Sequence, residues 1–142
     1  MALQIYANGS GGTFPDTLDA LLLDNTLVPD MLVCPSSGHT VAPGKTPAEQ
    51  VANLAKGRYQ SYVYVGKGVT LTSGRQVLAY EPPAHHGGQG LNVLFSDGTV
   101  QFLPTATAQT AIPQLAATQP SVAAAGVPAP AAQTQPAGAV GP

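Results

Sequence analysis

Two adjacent histidines and one aspartate carry the clearest chemical potential in this sequence. His85 and His86 precede a glycine-rich stretch, Gly87-Gly88-Gln89-Gly90, and Asp97 follows it after the apolar run Leu91-Asn92-Val93-Leu94-Phe95. If that loop folds back over a hairpin, His85, His86 and Asp97 converge. Two imidazoles and a carboxylate suit a zinc-like ion better than calcium, which prefers an all-oxygen shell. A metal site needs three or four ligands, so the competing reading has His86 bonding to the turn or backbone while Asp97 shapes the turn. Three other constellations are weaker. Gly38 to Thr46 resembles a phosphate-binding loop, but five residues separate its glycines and Pro43 removes an N–H donor. His86-Gly87-Gly88 resembles an oxyanion loop, yet the nucleophile motif Gly-x-Ser-x-Gly is absent from the chain. Cys34 could be a nucleophile with a histidine base. Its place in Met31-Leu32-Val33-Cys34-Pro35 suits a small buried residue or half of a disulfide better. As the chain's single cysteine it can make no intrachain disulfide and no multi-cysteine metal site.

The elements that must position these residues are legible in part. Ala2 to Ala7 reads as the end of a helix, stopped by Asn8-Gly9-Ser10-Gly11-Gly12. A short second helix is expected from an Asp16 N-cap to about Asp24-Asn25, with Leu18, Leu21 and Leu22 on one face. Met31 to Pro35 is expected to be extended. Thr46-Pro47-Ala48-Glu49 is a capping box with proline at the first helical position. It should open a helix to about Ala55 that faces Val51, Leu54 and Ala55 inward, with Gly57 beyond its end. Strands follow at Tyr59–Val65 and Gln76–Glu81. Tyr59, Tyr62, Tyr64 and Tyr80 should form an aromatic cluster on them, either as cross-strand packing or as a binding surface. Asp97-Gly98 then predicts a two-residue hairpin turn. That turn pairs Phe95 with Val100 and Val93 with Phe102, and all four fall on one core face. Short helices followed by about four strands indicate an α+β fold with a small antiparallel sheet.

Composition limits the function. Of the 142 residues only 8% are charged, the net charge is −2, and no charged residue or histidine follows Asp97. Nucleic-acid binding needs clustered Lys and Arg, so it is excluded as an expectation. No apolar run reaches about 18 residues and no signal peptide is evident, so the chain as given reads as soluble. Residues 104–142 hold thirteen alanines and seven prolines. They read as a flexible low-complexity tail following a head of residues 1–103. A weak helix over Ala111 to Ala125, interrupted by Pro113 and Pro120, is the alternative, and the Thr/Pro/Ala content would also suit O-glycosylation.

The phrase Asn92-Val93-Leu94-Phe95-Ser96-Asp97-Gly98-Thr99-Val100-Gln101-Phe102, led by His86, resembles the C-terminal signature of pilin-like proteins related to type II secretion pseudopilins. These are the His-x9-Asp-Gly group of planctomycete-type bacteria, and the matching positions are His86, Asn92, Asp97 and Gly98. Ten residues rather than nine separate His86 from Asp97, and Thr99 stands where a second histidine is frequent. Phe14-Pro15 and Cys34-Pro35-Ser36 support the resemblance in the same order, and it covers about residues 2–103. It implies a pilin-like head whose N-terminal stalk helix is truncated here. It also implies an inner-membrane anchor through that missing helix, a place in the bacterial cell envelope facing the periplasm or the exterior, and assembly with copies of itself or other pseudopilins. Calcium sites in the C-terminal loops of some pseudopilins, and a partner cysteine for Cys34 in the missing segment or a second molecule, belong to the same implication. The expected role is therefore a non-enzymatic structural subunit with no required cofactor. The alternative is a ligand- or metal-binding module centred on the Gly-rich histidine loop, with Zn or Ca as the ion.

Overall fold

A computed structural model describes residues 1–113, and the remainder of the Ala/Pro-rich segment, including most of the 111–125 stretch, lies outside the described residues. The fold is α+β. Its elements run α1 (Ala2–Gly9), α2 (Asp19–Leu23), a 3-10 turn (Pro29–Leu32), α3 (Pro47–Leu54), β1 (Val63–Tyr64), β2 (Val77–Tyr80), a second 3-10 turn (Pro83–His86), β3 (Gly90–Phe95), β4 (Val100–Pro104) and α4 (Thr105–Ala111). The four strands form one open antiparallel sheet in the order β1-β2-β3-β4, the arrangement that short sequential connections favour. No helix among the described residues is long and apolar enough to cross a membrane. Among the described residues, Met1–Thr107 form one compact unit.

The core of the first unit joins the early helices to the sheet. Leu3 and Ala7 of α1, Phe14, Leu18, Leu21, Leu22, Leu32 and Leu78 are buried together, with Leu94, Tyr64, Val51 and Leu54 partly buried against them. Burying a Leu or Phe side chain contributes roughly 1.5–3 kcal/mol, so this cluster holds helices that would be too short to persist alone. The two ends of the helical region are held differently. For α3 the Thr46 hydroxyl accepts from Glu49 N at 3.2 Å, and the Glu49 carboxylate accepts from Thr46 N at 3.2 Å and Lys45 N at 2.6 Å. The expected capping box is therefore formed. For α1 the anchoring is tertiary, because Gln4 Nε2 donates to Ser96 O at 3.2 Å across the hairpin turn.

Several expectations are corrected. Asp16 does not cap α2, which begins after Leu18; Asp16 instead faces Lys67 at 3.6 Å in solvent. The Met31 to Pro35 run is not extended throughout, because Pro29 starts a 3-10 turn that reaches Leu32. Ala55 is exposed, and the helix ends on it in a right-handed conformation rather than on a left-handed Gly57. The strand expected over Tyr59–Val65 is reduced to Val63–Tyr64, since Ser61 N donates to Leu32 O at 2.7 Å and leaves the ladder. Residues 104–111 end β4 and form α4 instead of opening a structureless tail. Tyr64 and Tyr80 fall on opposite faces of the sheet, paired with Ala79 and Val63 respectively.

The most consequential correction is the hairpin register. Leu94 pairs with Val100, Val93 with Gln101 and Asn92 with Phe102. Phe95 N donates to Thr99 O and Gly98 N to Phe95 O, both at 2.9 Å, with Gly98 at φ +86°. This is a three-residue loop, Ser96-Asp97-Gly98, in which a left-handed glycine forms the bulge. One additional loop residue exchanges the faces of β4. Val93 and Phe95 are buried as expected, while Val100 and Phe102 are 62% and 54% exposed.

Candidate functional site

The site is built around Glu81, one residue beyond β2. A carboxylate that is only 2% exposed needs partners, and the surrounding segments supply them. Glu81 N donates to Asn92 O at 3.2 Å, which places the side chains of both residues together at the β2–β3 edge. Asn92 Nδ2 donates to Glu81 Oε2 at 2.7 Å, and Asn92 N reaches the same oxygen at 3.3 Å. Pro82 and Pro83 end the strand and set the 3-10 turn. Gly87 and Gly88, at φ +63° and +80°, then reverse the chain without steric strain. The turn brings His86 Nε2 back to 2.7 Å from Glu81 Oε2.

Cys34 comes from the segment just after the first 3-10 turn. Its segment is pinned by Ser61, whose hydroxyl accepts from Cys34 N at 2.9 Å, and by the Ser37 hydroxyl, which donates to Cys34 O at 2.7 Å. His39 Nδ1 lies 3.0 Å from the same Ser61 hydroxyl, and its ring meets His85 edge-on at 5.2 Å. The Cys34 sulfur, a Glu81 oxygen and a His86 ring nitrogen all fall within 4.8 Å of one another. His85 Nδ1 is buried and has no hydrogen-bond partner among the described residues.

The electrostatics follow from burial and from Glu81. Burial pushes the Cys34 thiol above its ordinary value, and the neighbouring Glu81 carboxylate pushes it further in the same direction. For Glu81, burial alone would raise the carboxyl, but hydrogen bonds from Cys34, His86 and Asn92 outweigh it and hold the group below its ordinary value. Burial and the adjacent His39 depress His85, favouring its neutral imidazole. Burial and the Glu81 carboxylate both favour the protonated thiol, which is the opposite of the lowered thiol that a cysteine nucleophile needs. Sulfur, imidazole and carboxylate donors in one place do fit a transition-metal ion, and they do not fit calcium.

The convergence of His85, His86 and Asp97 is not observed. Four residues of strand and turn, Val93 to Ser96, separate Asn92 from Asp97, a path of more than about 10 Å. Asp97 sits at the hairpin tip with its carboxylate engaged by Thr99 N at 2.9 Å, Thr99 Oγ1 at 2.6 Å and Arg75 Nε at 3.0 Å. Of the signature positions, His86 and Asn92 meet on Glu81, while Asp97 and Gly98 make the turn. Glu81 and His39 were missed from sequence. The available signal for Glu81 was a lone charge ending the apolar run Val77-Leu78-Ala79-Tyr80 just before two prolines. Between α1, the first 3-10 turn and the sheet lies an open, mostly apolar groove of about 740 Å³. Ile5, Met31 and Val100 line it, and Glu81 and Asn92 belong to its wall. No family model, curated protein or solved structure matches the chain.

Proposed function

We propose that this protein is a non-enzymatic structural subunit, the globular head of a pilin-like protein in a secretion or pilus-type filament of a bacterial cell envelope. In this reading a longer form carries a membrane-held N-terminal helix of which α1 is the last part. The partners are copies of itself or other pseudopilins. The observation that carries the reading is the division of α1. Leu3 and Ala7 are buried in the head, while Ile5 is 54% exposed with Met1 beside the apolar groove. A helix with one face in its own core and another apolar face uncovered suits packing against neighbouring helices. The His86-to-Phe102 phrase supports it, because its residues form the hairpin that completes the sheet and the bonds that hold its far end.

The test is incorporation into filaments in the native host. Full-length protein carrying Ile5→Arg should fold normally, with an unchanged Tm for the purified head, yet be lost from sheared surface filaments and remain in the membrane fraction. If wild-type protein is found in neither fraction, or if Ile5→Arg assembles as wild type does, the reading fails.

A further inference from the structure

We propose that Cys34 Sγ, the Glu81 carboxylate and His86 Nε2 form a zinc site of three protein ligands, with a fourth position open to water or to His85. The inference does not rest on the filament reading. The chain has one cysteine and three histidines. All four gather in one corner, although they come from the loop after the first 3-10 turn and from the second 3-10 turn. Cys34, Glu81 and His86 already have their donor atoms within 4.8 Å of one another.

Zinc bonds of about 2.0–2.3 Å at tetrahedral angles place ligand atoms roughly 3.3–3.7 Å apart. The His86–Glu81 separation of 2.7 Å must therefore open by about 1 Å or less for an ion to replace the shared hydrogen bond. The turn bearing His86 ends on two left-handed glycines, so it can make that movement without disturbing the sheet. The supporting contacts of a metal site are also in place. Asn92 holds the carboxylate from two donors, and Ser61 fixes the backbone of Cys34. The His86 side chain is the partly open wall, which gives the ion a way in. Binding through the thiolate releases the thiol proton to solvent, so no other reactant is needed.

The test uses reduced, chelator-treated protein, titrated calorimetrically with Zn²⁺ and followed by absorption with Co²⁺. The expected result is one ion per chain, a thiolate-to-cobalt charge-transfer band, and displacement of Co²⁺ by Zn²⁺. Cys34→Ser, a near-isosteric change, should remove that band. Cys34→Ser and His86→Gln should each weaken Zn²⁺ binding by at least about tenfold, the loss that even an outer-shell partner typically causes. Asp97→Asn should bind as wild type does. Folding of each variant is checked by circular dichroism. Absence of heat beyond dilution with folded wild-type protein would overturn the proposal, and so would wild-type affinity in Cys34→Ser. Loss of binding in Asp97→Asn alone would move the site to the hairpin tip and overturn it equally.

Discussion

The Asp97-Gly98 turn and the Glu81 corner lie toward opposite ends of strand β3, and they are held by opposite kinds of contact. At the turn the defining bonds span two to four residues: Asp97 to Thr99, and Phe95 to Gly98 and Thr99. Arg75 reinforces it from solvent, reaching Asp97 and Thr99 while its guanidinium lies 3.8 Å over the Phe95 ring. At the corner one buried carboxylate gathers His86, Asn92 and Cys34 from three segments. The turn is fixed by local backbone geometry and tolerates water. At the corner the Glu81 carboxylate is buried, so its charge depends on the donors of Asn92 and His86 rather than on solvent.

Replacement of Glu81 should therefore give the largest effect in the molecule. In the presence of a chelator, Glu81→Gln is expected to lose about 1.5–3 kcal/mol at neutral pH, the range for hydrogen bonds to a charged group. The pH dependence sharpens this. The folded-state pKa of Glu81 lies below its ordinary value of 4.5, so its contribution is present above that pH. It is lost as pH falls through the folded-state value. Wild-type stability should decline below about pH 4.5 by one proton more than Glu81→Gln does. Chemical denaturation across pH 3–7 reads both quantities, and parallel curves would show that Glu81 is not the organising group.

The same contrast explains what the sequence could disclose. The capping box at Thr46–Glu49 needs only four consecutive residues, and it formed as expected. The α+β arrangement followed from short periodic segments joined by turns. The turn at Asp97-Gly98 was recognisable, but its length was not. Two- and three-residue loops both accept Asp-Gly, and the choice rests on one bulge and on Gln4 of α1 packing against it. Asp16 was legible as a cap by type alone, and the tertiary path of Phe14, bonded through N to Val69 O at 3.0 Å, moved the helix start to Asp19. The Glu81 corner was least legible, because its partners are brought together only by β2–β3 pairing and by the Cys34 loop. The signature residues His86 and Asn92 pointed toward the corner without naming the carboxylate between them.

At the turn, Gly98→Ala should have a smaller effect than loss of Glu81. The left-handed φ of +86° costs an L-residue about 1–2 kcal/mol. The added Cβ would also stand 2.7 Å from the Gln4 amide, the flexible end of a side chain that can withdraw at the cost of its bond to Ser96 O. Thermal denaturation of Gly98→Ala alone and with Gln4→Ala separates the two contributions. A loss that vanishes in the Gln4→Ala background would assign it to the α1 contact, making the turn as dependent on distant partners as the corner is.

The smallest effect is expected at Val100, and there the comparison can be broken most directly. With a two-residue loop Val100 would pair with Phe95 inside the core, and Val100→Thr would place an unpartnered hydroxyl in a packed interior at a cost of about 1–3 kcal/mol. With the three-residue loop Val100 pairs with Leu94 and faces the open groove. Its 62% exposure leaves the new hydroxyl hydrated, so the change in stability should stay within about 0.5 kcal/mol. A loss above that range in urea denaturation would restore the two-residue register and return Val100 and Phe102 to the core. The groove beside α1 would then lose one of its apolar walls.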